Sequence, residues 1–403
     1  MPSSAAEDLH AIFGRRGTGP LSGVVVADFT RVLAGPYCTM LLADMGATVI
    51  KVESSEGDDA RAWTPPQRDG ESTFFLSVNR NKHSIALDFT DPGQRDIAEA
   101  IIARADILVE NFKPGGLARY RLDYESVSAW RPDLVYASIT GFGTAGGAEL
   151  PGYDLLAQAL SGMMSLTGSQ DGEPYRAGVA LFDVITGLHA AIGVLGAFHE
   201  RQESGLGQHV ELNLLSSALS GLVNQTAAFV AGGTVPTRMG NEHPSLYPYE
   251  PFPARNKDIV IAVGNNGQFG RLCACLGVPE LAADGRFSTP AARNANRIDL
   301  RKLLIEQLRT RDAEDWFERL KAVKVPCAPI LNVDEGVRLA EDLGLRPVAV
   351  AGSGDRRIPT VRHPVDFSRT PVDYGQAPPV LDGDRDRVLA WLADGRTAVP
   401  KAS

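Results

Sequence analysis

A chain of 403 residues is longer than one simple core organises, and its 44% hydrophobic and 22% charged residues are ordinary for a globular protein. Two domains are therefore expected. A net charge of −9 argues against a broad nucleic-acid surface, while a local basic pocket for a phosphorylated small molecule stays open. Cys38, Cys273, Cys275 and Cys327 show no disulfide spacing, and residues 1–19 lack the apolar core of a signal peptide. No run of 18 apolar residues occurs, so a cytoplasmic protein that does not enter a membrane is expected.

From residue 22, short β-branched runs alternate with longer apolar-periodic ones. SGVVVADF (22–29) predicts a strand, AGPYCTMLLADMG (34–46) a helix and ATVIKVE (47–53) a second strand. DPGQRDIAEAIIARA (91–105) predicts a helix, followed by strands in DILVENF (106–112) and LVYASITGF (134–142). Strands alternating with helices imply βαβ units and a parallel sheet, which places ligands at the carboxyl ends of its strands. Helical stretches follow Asp154 as far as SGLVNQTAAFVAGG (220–233), with GQHVELNLLSSAL (207–219) ambiguous between strand and helix. Around 235–256 the chain turns rich in Pro, Gly, Asn and aromatic residues. A smaller unit follows, with a strand at DIVIAVG (258–264) and helices at QFGRLCACLG (268–277) and RIDLRKLLIEQLRT (297–310). The tail beyond VPCAPILNVDE (325–335) is rich in Pro, Gly and Asp, with a strand candidate at RPVAVAG (346–352).

The segment Gly141–Gly146 fits G-x-G-x-x-G after a strand, but a dinucleotide site needs that loop to open a helix. Pro151 prevents an early helix here, and the first βα turn reads TRVLAGP (30–36), so a loop over an active site fits better than a nicotinamide site. The seven histidines are scattered, and Cys273 and Cys275 have no second ligand pair, so no metal is expected and both cysteines read as packing residues. Arg31, Arg80, Lys82, Lys113 and Arg119 fall near predicted strand ends, where they would hold phosphates or simply be solvated.

Asp154 stands in PGYDLLAQALSG (151–162), between a turn and a helix. Aspartate there is a favoured N-cap, worth about 0.5–2 kcal/mol over alanine. A helix N-terminus also favours the ionised carboxylate, which is the nucleophilic form. Spacing alone favours the cap and does not exclude chemistry. Asp183 in ALFDVITG likewise reads as a cap.

Taken together, the segments DFTRVLAGPYCTMLLADMGATVIKVE, SVNRNKHSIALDF, ENFKPGGLARYRLDYE, SITGFG, PGYDLLAQALSG, GNEHPSLYPYEPF and VPCAPILNVDE resemble the class III coenzyme A transferases, from about residue 20 to 390. The resemblance implies an α/β subunit with a Rossmann-like large domain, a smaller α/β domain and an interlocked homodimer. Residues 1–215 would form the large CoA-binding domain, 216–330 linker helices and the small domain, and 331–403 a segment returning to the large domain. It places the nucleophile at Asp154, attacking an acyl-CoA to give a mixed anhydride and then an aspartyl-CoA thioester. CoA contacts would be Leu33, Ala34, Leu87, Asp88, Asn111, Phe112, Arg119 and Gly141, with CoA a substrate and no tightly bound cofactor. Ser54 and Thr140 replace basic residues of some members, which shifts phosphate recognition toward Arg31, Arg80, Lys82 and Arg119. The α-methylacyl-CoA racemases share this fold but carry a histidine where Tyr153 stands, and a phenol with a reference pKa near 10 is a poor proton shuttle. Asp183 does match the racemase acid. Within the transferases, EGDDARAWTPP and GYDLLAQALSGMMSLTG look most like the branch moving CoA from succinyl-CoA to dicarboxylic acids. Arg61, Arg80 and Arg176 are candidates for the distal carboxylate, and the segment at Gly240 for a flap.

Overall fold

The computed structural model describes Leu9, Ile12, Phe13 and residues 18–394. Most of the stretch read for a signal peptide therefore lies outside the described residues. The chain divides into two compact units, the first running to Gly162 and including Ala177–Thr234 and the chain from Arg346, the second comprising Met163–Arg176 and Val235–Leu345. The helix at Asn224–Val230 falls in the first unit.

Six strands form the centre of the first unit: β1 (Val25–Phe29), β2 (Thr48–Glu53), β3 (Lys82–Ala86), β4 (Ile107–Glu110), β5 (Val135–Thr140) and β6 (His209–Asn213). Their order is β3-β2-β1-β4-β5-β6, and every neighbouring pair is parallel. Every residue of β1, β2 and β5 is buried, as a parallel sheet covered on both faces requires. The main helices are α1 (Ala34–Asp44), α2 (Thr73–Val78), α3 (Pro92–Arg104), α4 (Asp154–Leu160), α5 (Leu181–Ser204) and α6 (Leu214–Gly221). The ambiguous stretch 207–219 resolves into β6 followed by α6, because the Asn213 side chain accepts the Ser216 N–H and caps the helix.

On one face Val25, Ala27 and Phe29 pack with Ile101 and Ile102 of α3 and with Val388 and Trp391 of the C-terminal helix Arg385–Ala393. On the other, α1 and α5 approach closely at Gly187, where a Cβ would lie 2.6 Å from the Ala34 carbonyl. By length and composition α5 could cross a membrane, since its polar residues interrupt the apolar run without lowering its average much. Here Phe182, Ala190, Ala191, Val194 and Ala197 are buried in the unit's own core. The tail covers the edge strand β3, with the Ala86 N–H donating to Asp382 (2.8 Å) and the Ser84 N–H to Asp384 (3.1 Å).

The second unit holds a three-stranded antiparallel sheet of Tyr249–Pro253, Asp258–Ala262 and Cys327–Pro329, with Asp258–Ala262 in the middle. Helices Asn266–Leu276, Arg297–Leu308 and Ala313–Ala322 pack a core that includes Phe252, Ile259, Phe269, Leu300 and Trp316. Cys273 is buried in that core and Cys275 packs against it, as their spacing predicts.

Candidate active site

The sheet order reverses between β1 and β4, and a parallel α/β sheet opens its ligand crevice at such a switch point. Asn111, after β4, bridges to the loop after β1. Its Oδ1 accepts the Arg31 N–H (2.9 Å), and its Nδ2 donates to the Arg31 carbonyl (2.8 Å). The next residue, Val32, has φ 71°, a left-handed backbone that a β-branched side chain rarely adopts. The Asp58 carboxylate holds it there by accepting the Val32 N–H (3.1 Å), and also accepts the Ala60 N–H (3.0 Å). The Lys51 ammonium, fully buried, lies 2.9 Å from Asp58 and holds that carboxyl below its ordinary range against the opposing effect of burial. No side chain caps α1 at Leu33, and Leu33 and Ala34 line a cavity of about 280 Å³.

The opposite wall is the 141–153 loop, which contains no helix before Asp154, in keeping with the proline. A Cβ on Gly141 would lie 2.4 Å from the Gly152 Cα, so only a glycine lets the end of β5 touch the turn before α4. That contact fixes where α4 begins. Thr140 is internal to this arrangement: its Oγ donates to the Leu212 carbonyl (3.2 Å) and accepts the Gly143 N–H (3.1 Å).

Asp154 does not cap its own helix. It is the first residue of α4, and the N-cap is Tyr153, which makes no side-chain cap. Instead, Asp154 Oδ1 accepts the N–H groups of Phe182 (2.7 Å) and Asp183 (3.1 Å), the second and third residues of α5. The cap residue of α5 is Ala180, whose side chain has no acceptor, so Asp154, 28 residues before Phe182, supplies it. Its Oδ2 accepts from the buried Gln158 amide (2.5 Å), and Gln158 Oε1 accepts the Ala177 N–H (2.8 Å). Asp183 is likewise no cap. It sits in the first turn of α5 and lines the cavity, and burial, then the charge of Asp154, pushes its carboxyl up to about 7.

Of the residues carried over from the resemblance, Arg31, Leu33, Ala34, Asn111, Phe112 and Gly141 line this cavity, joined by Lys113, Tyr153 and Asp183. Four others do not. Arg80 and Lys82 stand at the start of β3 rather than after a strand, with Arg80 paired to Asp44 (2.6 Å) and Lys82 to Asp28 (3.0 Å), all four buried. Leu87 is a core residue, and the exposed Asp88 accepts the N–H (2.8 Å) and hydroxyl (2.7 Å) of Thr90. Arg119 is exposed and lies over the Tyr120 ring, outside the cavity lining. Arg61 is bound to Glu53 (2.7 and 2.8 Å) and stacked on Phe75, so it and Arg80 are not available for a distal carboxylate; Arg176 is exposed in the second unit. Gly240 is also in the second unit, where its N–H donates to the Gly168 carbonyl (3.0 Å). Sequence reasoning missed Lys51, Asp58 and Gln158; only Lys51 left a signal, as a charge inside a fully buried strand.

The sequence profile of CoA-transferase family III matches residues 21–385. The chain is 41% identical over 392 residues to the succinate–glutarate CoA-transferase of Agrobacterium fabrum, covering 94% of this chain and 98% of that protein. It is also 41% identical to the human succinyl-CoA:glutarate CoA-transferase, over 78% of this chain and 72% of that protein. A crystal structure of a CAIB/BAIF family protein from Brucella suis superposes with a TM-score of 0.85 at 40% identity, covering 93% of this chain and all of that one. An uncapped helix beside a cavity at the switch point, with the buried Asp154 just behind the lining residues Tyr153 and Asp183, is thus found in a chain that belongs to CoA-transferase family III and is an acyl-CoA:carboxylate CoA-transferase.

Proposed function

We propose that this transferase moves CoA from succinyl-CoA to a small dicarboxylic acid, with Asp154 as covalent nucleophile. The observation that carries this is how Asp154 is held. Its oxygens accept only N–H groups, from Phe182, Asp183 and Gln158, and among the described residues no lysine or arginine pairs with it. Such a carboxylate is oriented without being neutralised by a cation, which suits attack on a carbonyl carbon. The attack forms a tetrahedral adduct whose collapse breaks the C–S bond and releases CoA thiolate, leaving a mixed anhydride. The thiolate then attacks the Asp154 carbonyl and expels the donor acid, giving an aspartyl-CoA thioester, and the acceptor carboxylate runs the sequence in reverse. The covalent route conserves the thioester's free energy, which hydrolysis would lose.

Arg31 and Lys113, the cations of the cavity, would hold the CoA phosphates. The relatives' named substrates support succinyl-CoA as donor and a dicarboxylic acceptor. An interlocked homodimer is part of the proposal. Leu155, Leu160, Ile192, Val223, Phe229 and Val230 of the first unit are exposed, and a partner chain threaded against them would bury them. A cytoplasmic setting belongs to the same reading.

Incubation with succinyl-CoA followed by hydroxylamine, then peptide mass spectrometry, should locate the adduct at Asp154. Asp154→Ala should abolish both adduct and transfer. Transfer retained in that variant would overturn the mechanism, and a species of one chain mass in solution would overturn the dimer.

A further inference from the structure

Asp183 is an ionisable group of the cavity lining that takes no part in this scheme. Its backbone N–H supports the nucleophile at 3.1 Å, its side chain lines the cavity, and among the described residues its carboxyl makes no hydrogen bond or ion pair. The charge of Asp154 bears on the Asp183 carboxyl and disfavours ionising both. Three N–H donors hold the Asp154 carboxylate, whereas no donor supports a charge on Asp183, so Asp183 is the carboxyl placed to stay protonated. The direction already noted, up to about 7 through burial and then Asp154, agrees with that placement.

We infer that Asp183 is a second catalytic residue, which enters the reaction protonated and donates its O–H to the thioester carbonyl oxygen as Asp154 attacks. The inference rests on Asp154 being the nucleophile. As the Asp154 oxygen bonds to the carbonyl carbon, the C=O π pair moves onto oxygen, and the Asp183 O–H strengthens its hydrogen bond to that oxyanion. On collapse the pair returns to C=O, the C–S bond breaks toward sulfur, and the proton stays on Asp183. Because the proton never leaves Asp183, the same O–H serves each of the four carbonyl additions in a turnover. An ionised Asp183 would instead set a second negative charge against the oxyanion.

A second carboxyl near the cavity, Glu110 at the end of β4, is also pushed up to about 7 by burial and accepts the N–H of the lining residue Phe112, so the asparagine variant is what assigns an alkaline fall to Asp183. Around Asp183, the start of α4 brings Asp154 and Tyr153; α1 brings Tyr37, which packs against the same turn of α5; and α6, LLSSALSG, brings no titratable group. The strands under α5 bring Tyr136 on β5 and His209 and Glu211 on β6, and the cavity wall adds Arg31, Asp59 and Lys113.

The test measures kcat, KM and the Asp154 adduct from pH 5.5 to 9 for the wild type, Asp183→Asn and Asp183→Ala. An amide still donates to an oxyanion but does not titrate. The alanine variant should lose about 10²–10³ in kcat, the usual effect of removing one oxyanion donor, with KM changed less than about threefold. The wild type should lose kcat as pH rises through about 7, because the active form is the acid. Asp183→Asn should keep kcat within about tenfold of wild type and lose that alkaline fall. An alanine variant within about threefold of wild type, or an asparagine variant that keeps the fall, would overturn the inference while a trapped Asp154 adduct leaves the nucleophile standing. No adduct in the wild type at any pH would overturn the parent reading itself.

Discussion

Beneath the first three strands charge is enclosed in pairs, and around the cavity it stands open. Lys82 meets Asp28 at 3.0 Å, Lys51 meets Asp58 at 2.9 Å and Arg80 meets Asp44 at 2.6 Å, with no side chain more than 3% exposed. Arg31 lies 3.5 Å from Asp59 with 47% of its side chain exposed, and Lys113 is exposed. A buried pair has lost its water and depends on its partner, so it is useful only as scaffold. An open cation keeps its hydration until a ligand replaces it. The scaffold still reaches the site, through the backbone: Lys51 fixes Asp58, and Asp58 fixes the strained Val32 at the cavity wall.

The sharpest way to break this contrast is Asp28→Ala. It strands the Lys82 ammonium in the core and removes the acceptor used by Thr30 and Thr39, so it should cost about 3–5 kcal/mol in denaturant unfolding. Adding Lys82→Met should recover part of that loss, since apolar replacement of a whole buried pair is often neutral. A loss below about 1 kcal/mol would mean that Lys82 is rehydrated and within reach of ligands after all.

The sheet was legible because its strands are buried on both faces and read as apolar runs, as in VVADF and TVIKVE. β3 was not, because KHSIA carries a lysine and a histidine whose partners, Asp28 and Asp384, lie 54 and 301 residues away. The same distance hid the function of the buried cations. A lysine after a turn looks alike in sequence whether its tip meets solvent or an aspartate from another strand. Asp154 shows the limit from the other side. Its local pattern signals a helix end, yet the helix it caps begins near Leu181, and no spacing rule links the two. Only the ordered segments of the family resemblance singled it out.

A smaller effect sharpens the open half of the comparison. Arg31→Ala should change unfolding stability by no more than about 0.5 kcal/mol, as for other exposed side chains. KM for the CoA thioester should rise about tenfold, the loss of one charge-assisted phosphate contact, with kcat nearly unchanged. Its backbone amide would still be held by Asn111, so a large loss of kcat would show that the guanidinium does more than bind.

Asp88→Ala carries the smallest expected effect and separates two ways of assigning a residue. By motif resemblance Asp88 is a CoA contact. By geometry its carboxylate is occupied by the N–H and hydroxyl of Thr90, in an exposed turn outside the cavity lining. A side chain bonded only within its own turn has no route to the ligand, so KM should stay within about twofold of wild type. A rise comparable to that of Arg31→Ala would place part of the bound CoA beyond the cavity, along the turn after β3. The carboxylate would then have to exchange Thr90 for a group on the ligand, most readily a hydroxyl or an amine, because a phosphate would be repelled.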